Sequence, residues 1–259
     1  MGLSGNGIAA QISMQGTYQG RDAKVFHIMG QREDWINTTA FQDIAEFLDP
    51  PSGFVFPELV GNEALELVSS SASDGVGGVG TRTVELVYLD TSYDMQSVIF
   101  TLNGLTPVPV MGYNVLHPLW LEARSGGTSE VSVGNISLSV QGTGVVHERI
   151  TAGGNRSLSA RFVVPAGYEA LIPSWDTHAI RHPMDCRLRA TIRSYNRALC
   201  TRYIFQDLAS LGADQNGEHA LPFLKFPARC KIKASAVPGA ISSGPRLDVS
   251  FTVILIKGD

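Results

Sequence analysis

The sequence predicts a mainly β protein, in which an N-terminal arm with one short helix precedes two domains of β-sandwich or jelly-roll type. Apolar and polar residues alternate with a period of two in many short segments, which is typical of half-buried strands. Gly-rich and Asn-Gly turns separate these segments, and only one segment has helical spacing. The low charged fraction of 17% and the 27 glycines suit an all-β chain with many turns.

The expected N-terminal region covers residues 1–63. Its first 24 residues or so are small and polar, which fits either a disordered tail or an arm that a neighbouring protein orders. A short strand is predicted over residues 24–29, and a helix follows it. Asn37 or Thr38 can cap this helix, and Pro50 ends it. Four apolar positions define its face: Phe41, Ile44, Ala45 and Leu48.

The first β-domain is expected over residues 64–142. A glycine-rich turn at residues 75–80 opens a predicted antiparallel meander. Its strands are expected over residues 82–89, 95–102 and 107–110, with an Asn103-Gly104 turn before the last strand. Further strands are expected over residues 114–123 and 131–140, and Gly134-Asn135 indicates a bulge in the second of these.

The second β-domain is expected over residues 143–259. Its clearest strand covers residues 186–193, where Cys186, Leu188, Ala190 and Ile192 alternate with Arg187, Arg189, Thr191 and Arg193. Similar alternation predicts strands over residues 228–237 and 247–255. Residues 203–211 fit a strand or a short helix. Many strands with turns between them and no interleaved helices favour a sandwich.

The charge and cysteine content narrow the function classes. A net charge of −4 provides no electrostatic footprint for nucleic acid or an anionic membrane, so we expect no direct binding to either. The first residues lack the basic and apolar regions of a signal peptide. Three cysteines, at positions 186, 200 and 230, are too few and odd in number for a disulfide framework, and they indicate thiols in a reducing cytoplasm.

Two patterns resemble chemical motifs but lack the required context, and a third motif is absent. Residues 75–80 match G-x-G-x-x-G, yet they lead into a predicted strand and not the helix that a dinucleotide site needs. His178, His182 and Cys186 have metal-ligand spacing, but Pro183 interrupts the segment. No G-x-S-x-G elbow is present. We therefore expect no catalytic, cofactor-binding or metal-binding residues, and the chain is not expected to be an enzyme.

Several segments resemble a family of tailed-bacteriophage virion structural proteins. The central ones are Gly-Val-Gly-Thr-Arg-Thr-Val at residues 78–84, Leu-Asp-Thr-Ser-Tyr at 89–93 and Leu-Asn-Gly-Leu-Thr-Pro-Val at 102–108. Others lie at residues 67–74, 133–136, 162–168 and 249–256, so the resemblance covers residues 64 to 259.

The resemblance implies a virion β-domain and an architectural role. The expected function is a capsid decoration or cement protein that binds the major capsid protein and stabilises the head, in a virion assembled in the host bacterial cytoplasm. The alternative is a tail- or fibre-associated adaptor or receptor-binding protein. A carbohydrate-binding β-sandwich is a third hypothesis, which exposed aromatic residues around a groove would support.

Five residues are candidates for the partner interface. Arg187, Arg189 and Arg193 line one face of a predicted strand, and Arg181 precedes it. Arginine is favoured at interfaces because its planar fork pairs with carboxylates, although a solvated face explains the pattern equally well. Trp35 is a candidate anchor, whereas Trp120 and Trp175 are expected in the core. We also expect a homotrimer, and we expect the arm, residues 1–30, to reach the shell or a neighbouring protomer.

Overall fold

The computed structural model describes residues 17–18, 20–33, 35, 40–46, 48, 55–181, 183–193, 201–221, 225–238 and 246–258. Within these ranges the chain forms nineteen strands and no helix, which confirms the mainly β class. The strands are β1 (Thr17–Tyr18), β2 (Arg21–Arg32), β3 (Gln42–Asp43), β4 (Leu65–Ser69), β5 (Thr81–Asp90), β6 (Met95–Thr101), β7 (Val108–Val110), β8 (Val115–Gly126), β9 (Ile136–Val140), β10 (Val146–Ile150), β11 (Arg161–Val163), β12 (Tyr168–Leu171), β13 (Ser174–Ile180), β14 (Met184–Arg193), β15 (Thr201–Leu211), β16 (Gln215–Ala220), β17 (Lys225–Phe226), β18 (Lys231–Pro238) and β19 (Arg246–Lys257).

The chain divides into two compact units. Unit 1 combines residues 1–45 with residues 160–259, and unit 2 comprises residues 46–159. The sequence led us to expect three regions, covering residues 1–63, 64–142 and 143–259, whereas the two units of the structure meet at residues 45/46 and 159/160. The three-region division stays a prediction about which segments fold independently.

Unit 1 contains a seven-stranded sheet in which β2 and β19 are central neighbours. They pair antiparallel over ten residue pairs, from Leu247 opposite Arg32 to Ile256 opposite Ala23. Alternation along β19 buries Val249 and Phe251 on one face, as the sequence pattern predicts. The strand β13 pairs with the N-terminal half of β19, on the side opposite β2. The other edge of β13 pairs with β16.

A second, five-stranded sheet packs against the first within unit 1. Its order is β11-β18-β14-β15, and β3 joins the β11 side of β18. The ring of Phe26 in β2 lies 5.8 Å from that of buried Phe162 in β11, and Gly30 lies against Ala160. These contacts make unit 1 a β-sandwich, with residues 186, 188, 190, 232 and 234 buried on the inner face of the smaller sheet.

The helix predicted in the N-terminal region is not confirmed. Gln42 and Asp43, at its centre, form β3 and pair with Ala236 and Ser235 of β18. A three-turn helix is not stable without packing against other elements. Here the backbone pairs instead with β18, on the same edge of that strand as β11. Ile44 is still buried, so the apolar face was predicted but its backbone conformation was not. Residues 37–39, 47, 49 and 50 of this segment lie outside the described residues.

The arm expected over residues 1–30 overlaps strand β2. Residues 21–32 form β2, which lies between β1 and β19 in the large sheet, so they belong to the core of unit 1. Residues 1–16 lie outside the described residues. The ambiguous segment at residues 203–211 lies in strand β15.

Unit 2 also consists of two sheets, with the orders β10-β9-β4-β7 and β6-β5-β8. One apolar cluster takes side chains from both sheets, including Leu67 and Leu138 from the first and Leu86 and Leu121 from the second. The predicted hairpin of β5 and β6 is present. The third strand of the expected meander, β7, pairs instead with β4 in the other sheet, because residue alternation does not specify a partner strand.

Candidate functional site

Three loops of unit 2 meet at one place, which we call the loop end and which comprises residues 70–80, 102–107 and 127–135. A backbone bridge joins Gly75 to Asn103, and the N–H of Gly127 donates to the carbonyl of Gly80 at 2.7 Å. The N–H of Ser70 donates to the carbonyl of Asn135 at 2.9 Å. Segments that are up to 65 residues apart in the chain are therefore neighbours here.

The carboxylate of Asp74 organises the loop end. It is fully buried, and its Oδ1 accepts hydrogen bonds from the backbone N–H of Thr81 at 2.9 Å and of Val133 at 3.0 Å. Its Oδ2 accepts from the hydroxyl of Ser69 at 2.6 Å and from the N–H of Gly134 at 2.8 Å. Donors around a buried carboxylate compensate for its lost hydration. The strand predicted over residues 131–140 begins only at residue 136, because the amides of residues 133 and 134 bond to Asp74.

The glycine-rich turn permits close packing of these loops. A Cβ atom on Gly78 would overlap the carbonyl of Ser73, and one on Gly134 would lie 2.6 Å from the amide nitrogen of Ser71. The turn leads into strand β5, as the sequence predicts. Its glycines therefore serve loop packing in this fold.

The loop end exposes apolar side chains and very little charge. Val76 is 81% exposed and Leu105 is 60% exposed, and Val79 and Val133 are also exposed. Asp74 and Glu130 are the only ionisable residues in its three segments, and Asp74 is buried. Large exposed apolar groups that lie together are typical of protein interaction sites.

The outer face of the five-stranded sheet carries five cations, which we call the basic face. Arg161, Lys233 and Arg189 lie directly opposite one another across β11, β18 and β14. Arg187 and Lys231 flank this row on β14 and β18. The described carboxylates on the same face are Asp43, which pairs with Lys233 at 2.7 Å, and Asp185.

The structure separates the arginines that the sequence groups together. Arg187 and Arg189 belong to the basic face, and the Arg187 guanidinium lies 3.6 Å from the Phe41 ring centroid and donates from Nε to the hydroxyl of Ser235 at 2.8 Å. Arg181 lies in the β13–β14 connection, with a positive φ of 70° and its N–H bonded to Asp214. Arg193 ends β14, and its side chain lies outside the described residues.

Trp35 lies inside unit 1. It is 8% exposed, and its Nε1 donates to the carbonyl of Arg32 at 3.1 Å. The Arg32 guanidinium lies 5.0 Å from its ring centroid. The indole therefore contacts its own chain and offers little surface to a partner. Trp120 and Trp175 are buried, in agreement with their expected core positions.

Three carboxylates at the β13 side of the outer face of the seven-stranded sheet, Asp176, Glu218 and Asp248, form what we call the acidic face. Asp176 on β13 lies directly opposite Glu218 on β16. Partial burial, and after it the charge of Glu218, raises the pKa of Asp176 above its ordinary value. Asp248 pairs with Arg246 at 3.0 Å.

Sequence reasoning missed the loop end and the acidic face, and it found only the arginines of the basic face. Asp74 lies in one of the segments that resemble phage virion proteins. A single Asp among Ser and Gly residues forms no motif that would mark it as a buried hydrogen-bond acceptor. Lys231 and Lys233 showed outward alternation, yet only strand pairing places them beside the arginines of β14. The acidic face depends in the same way on the pairing of β13 with β16 and β19.

The candidate metal ligands do not form a cluster in the described part of the chain. His178 lies on β13 and Cys186 on β14, while His182 is outside the described residues. Across the described ranges, no group of three or more His, Cys, Asp or Glu side chains could hold a metal ion. Over the same ranges, no helix is long and apolar enough to cross a membrane.

Cys186 and Cys230 are buried, unpaired thiols. Burial raises the pKa of each to about 12, with a further contribution from Asp185 for Cys186. Because the thiolate is the reactive form, we expect neither to react with a thiol reagent at about pH 8 in the native protein. Cys200→Ser removes the third thiol, so this variant should show no reactive thiol when native and two in denaturant. Rapid labelling of the native variant would contradict the buried placement.

Comparisons with known proteins do not identify the chain. No family model and no curated protein matches it. The match to a structure of the infectious bursal disease virus Gt strain covers 93% of this chain and 76% of the matched chain, at 11% identity and a TM-score of 0.22. The match to the crystal structure of the infectious bursal disease virus VP2 subviral particle covers 91% of this chain and 72% of the matched chain, at 9% identity and a TM-score of 0.24. Likeness at this level carries no argument about this chain.

The fold and surfaces therefore define a class and not a family. The chain is a mainly β protein with two sandwich units. Its distinctive surfaces are an uncharged apolar loop end on unit 2 and sheet faces of opposite charge on unit 1.

Proposed function

We propose that this chain is a virion structural protein, specifically a capsid decoration or cement protein that binds the major capsid protein. The observation that supports this proposal is the loop end of unit 2, where exposed apolar side chains surround a buried carboxylate that ties three loops together. The segments that resemble phage virion proteins, including residues 67–74, 78–84, 102–108 and 133–136, meet at or beside this loop end.

The proposed role is binding, not catalysis. Burying the loop end against a partner removes apolar surface from water, which contributes about 25 cal/mol per Å². The four hydrogen bonds to Asp74 hold its loops in place before binding, so little conformational entropy is lost on docking. A protein that binds the expanded shell more tightly than its precursor stabilises the expanded shell by mass action.

The decisive experiment is the copy number of the chain per purified virion, measured by quantitative mass spectrometry against the major capsid protein. A copy number commensurate with the capsid subunits supports decoration. A handful to a few dozen copies would assign the chain to the tail or a fibre. Absence from the particle would overturn the virion proposal.

The loop end supplies a direct test of attachment. The double variant Val76→Asp with Leu105→Asp should bind purified capsids at least about tenfold more weakly, because two carboxylates would have to be desolvated in the contact. Both positions are exposed, so the fold should tolerate the change. Val60→Asp is the control, since Val60 is 74% exposed in unit 2 but lies outside the loop end. Equal binding by the double variant and the control would exclude this surface.

The arm needs a separate variant. Deleting residues 1–30 would remove most of β2 and disrupt unit 1, so the informative deletion is residues 1–16. Loss of capsid binding on this deletion, with full binding by the loop-end variant, would assign attachment to the arm. The opposite result supports the loop end.

A further inference from the structure

We propose that two copies of this chain associate through the free edge of strand β6, so that the β6 strands of both copies pair antiparallel. The partner is a second copy, and no capsid protein is required. This inference goes beyond attachment to a shell, because it assigns an interface to a strand that lies outside the loop end.

Strand β6 is an edge strand in the described part of unit 2. It pairs with β5 over seven residue pairs without a register shift, and no other described strand pairs with it. Its sequence, Met-Gln-Ser-Val-Ile-Phe-Thr, contains no charged residue, proline or glycine. An exposed edge of this kind is open to pairing with another strand, and proteins usually protect such edges with charges, proline, bulges or short length.

The other described edge strands have this protection. The strands β1, β3 and β17 have two residues each, and β7 and β11 have three, with Pro109 at the centre of β7. The longer edge strands β8, β10, β15 and β16 contain charged residues. In the described part of the chain, β6 is therefore the edge that is both long and unprotected.

The pairing with β5 shows which backbone groups of β6 lie on the free edge. The N–H of Leu102, one residue beyond the strand, donates to the carbonyl of Arg82 at 2.9 Å, so these two residues form a hydrogen-bonded pair. Hydrogen-bonded pairs alternate along an antiparallel ladder, so residues 96, 98 and 100 also bond to β5. The N–H and C=O groups that point to the free edge belong to Met95, Ser97, Ile99 and Thr101.

One register satisfies all four of these residues at once. When a twofold axis passes beside Val98, Ser97 lies opposite Ile99 of the second copy, and Met95 lies opposite Thr101. Each of these oppositions is a hydrogen-bonded pair, because all four residues present their backbone groups to the free edge. The Val98 residues of the two copies then form the non-hydrogen-bonded pair on the axis.

The side chains of this edge suit a contact with themselves. Ile99 is 58% exposed, and it would pack beside Ser97 of the second copy on the outer face of the sheet. Val98 is partly buried against the core of unit 2 and would meet its own counterpart on the inner face. A twofold contact sets like residues near each other, so charges on the strand would repel, and β6 carries none. A second copy therefore fits this edge.

The contact would join two three-stranded sheets into one continuous sheet, with the order β8-β5-β6-β6-β5-β8. A self-complementary contact about a twofold axis yields a dimer. The homotrimer expected from the sequence requires a different interface, so the size of the oligomer distinguishes the two expectations.

The test uses the purified full chain without capsids, so its outcome is independent of the shell proposal. Sedimentation velocity over about a hundredfold range of concentration should show a monomer–dimer equilibrium, because the dimer fraction rises with concentration by mass action. The contact contains no ion pair, so the dimerisation constant should change by less than about threefold between about 0.05 M and about 0.5 M NaCl.

Ser97→Pro is the decisive variant. Proline removes the N–H of residue 97, which points to the free edge, and its ring occupies space that a paired strand needs. The ladder with β5 keeps its hydrogen bonds, since proline is tolerated where the N–H side of an edge strand faces solvent. We expect dimerisation to be weaker by about tenfold or more. Ser97→Ala keeps the N–H, so this matched control should dimerise like the native protein.

Ile99→Lys tests the same edge without a change in the backbone. In the proposed register the two introduced lysines lie diagonally across the axis, and their like charges should weaken dimerisation by about tenfold or more at low salt. Val60→Lys is the matched control, because Val60 is an exposed valine of unit 2 outside β6. Far-UV circular dichroism and thermal melting verify that each variant is folded.

A cysteine cross-link tests the register. The background is Cys200→Ser, in which the remaining thiols, Cys186 and Cys230, are buried. Val98→Cys should give a disulfide-linked dimer with oxidised glutathione, because Cα atoms of a non-hydrogen-bonded pair are about 4.5 Å apart, within the range of a disulfide. Gln96→Cys is the control and should not cross-link, since the two copies of residue 96 would lie about 14 Å apart along the strands.

Three results would each overturn the proposal. They are a native protein that stays monomeric at the highest concentration, a dimer that both Ser97→Pro and Ile99→Lys retain, and a dimer that Val98→Cys does not cross-link. A monomeric native protein whose capsid binding is lost with Ser97→Pro would assign the edge to an extended segment of the shell, and this result would also exclude pairing between copies.

Discussion

Replacing Asp74 with Ala should lower the free energy of unfolding of unit 2 by about 3–5 kcal/mol. The substitution leaves three backbone N–H groups and the Ser69 hydroxyl without their acceptor in a buried site. Each unsatisfied buried group costs about 1–3 kcal/mol, and partial entry of water offsets part of the sum. Urea denaturation followed by tryptophan fluorescence measures the change.

Asp74→Asn sharpens this prediction, because it preserves the shape of the side chain. The Asn side-chain NH2 is a donor where the carboxylate oxygen was an acceptor, so it would face the donors that surround this position, and we expect a loss of about 2–4 kcal/mol. Asp90→Asn is the control. Asp90 also accepts from two backbone amides, of Ser92 at 2.8 Å and Asp94 at 3.1 Å, but at a solvent-accessible turn where water can substitute. Equal losses in the two Asn variants would refute the organising role of Asp74.

Under the proposed function, the loop end should bind capsids more weakly once its loops lose their order. If Asp74→Asn leaves unit 2 folded at low temperature, the variant should still attach to capsids more weakly, because the three loops are no longer tied together before docking. Native attachment by a variant with measurably loosened loops would indicate that the loop end does not carry the contact.

Gly30→Val should destabilise unit 1 by about 3 kcal/mol or more. A Cβ on Gly30 would overlap the backbone nitrogen of Ala160 and lie 2.5 Å from its Cβ. The overlapping atoms of Ala160 are backbone atoms or the Cβ attached to them, so they cannot rotate away. The overlap can be removed only if the two sheets move apart. Overpacking of this kind costs about 1–3 kcal/mol for one or two methyl groups, and a β-branched side chain adds more.

Met29→Val is the matched control for Gly30→Val. Met29 is the preceding residue of the same strand, points to the opposite face and is 46% exposed. We expect a change within about 0.5 kcal/mol for this surface substitution. Ala160→Gly should restore only part of the stability of Gly30→Val, because the Ala160 backbone remains in place. Full stability of Gly30→Val would mean that the sheets do not approach each other at this point.

Strand alternation in the sequence was a reliable guide to which residues point inward. In β14, Cys186, Leu188 and Ala190 are buried, while the arginines between them point outward. The strands β5 and β6 lie within one residue of their expected limits. These features are local, because successive side chains of a strand lie on opposite faces whatever its partners are.

Local patterns did not reveal where the backbone pairs with a strand that is distant in the sequence. Phe41, Ile44 and Ala45 have helical spacing, but Gln42 and Asp43 pair with β18 across almost 200 residues of sequence. The strand expected over residues 24–29 is present, but it was placed in an arm over residues 1–30, and its pairing with the last strand of the chain was not predicted. Such long-range pairings have no signature within the segment itself.

The sequence by itself determined the mainly β class, the turns, and the inward and outward face of each strong strand, because these depend on residues a few positions apart. Only the tertiary structure decided which strands are neighbours. It brought residues 74, 81 and 133 to one carboxylate, lined up three cations across one sheet, and set Asp176 against Glu218 on the other. The physical reason is that the period of a strand specifies its faces, whereas register and partner depend on the packing of the whole sandwich.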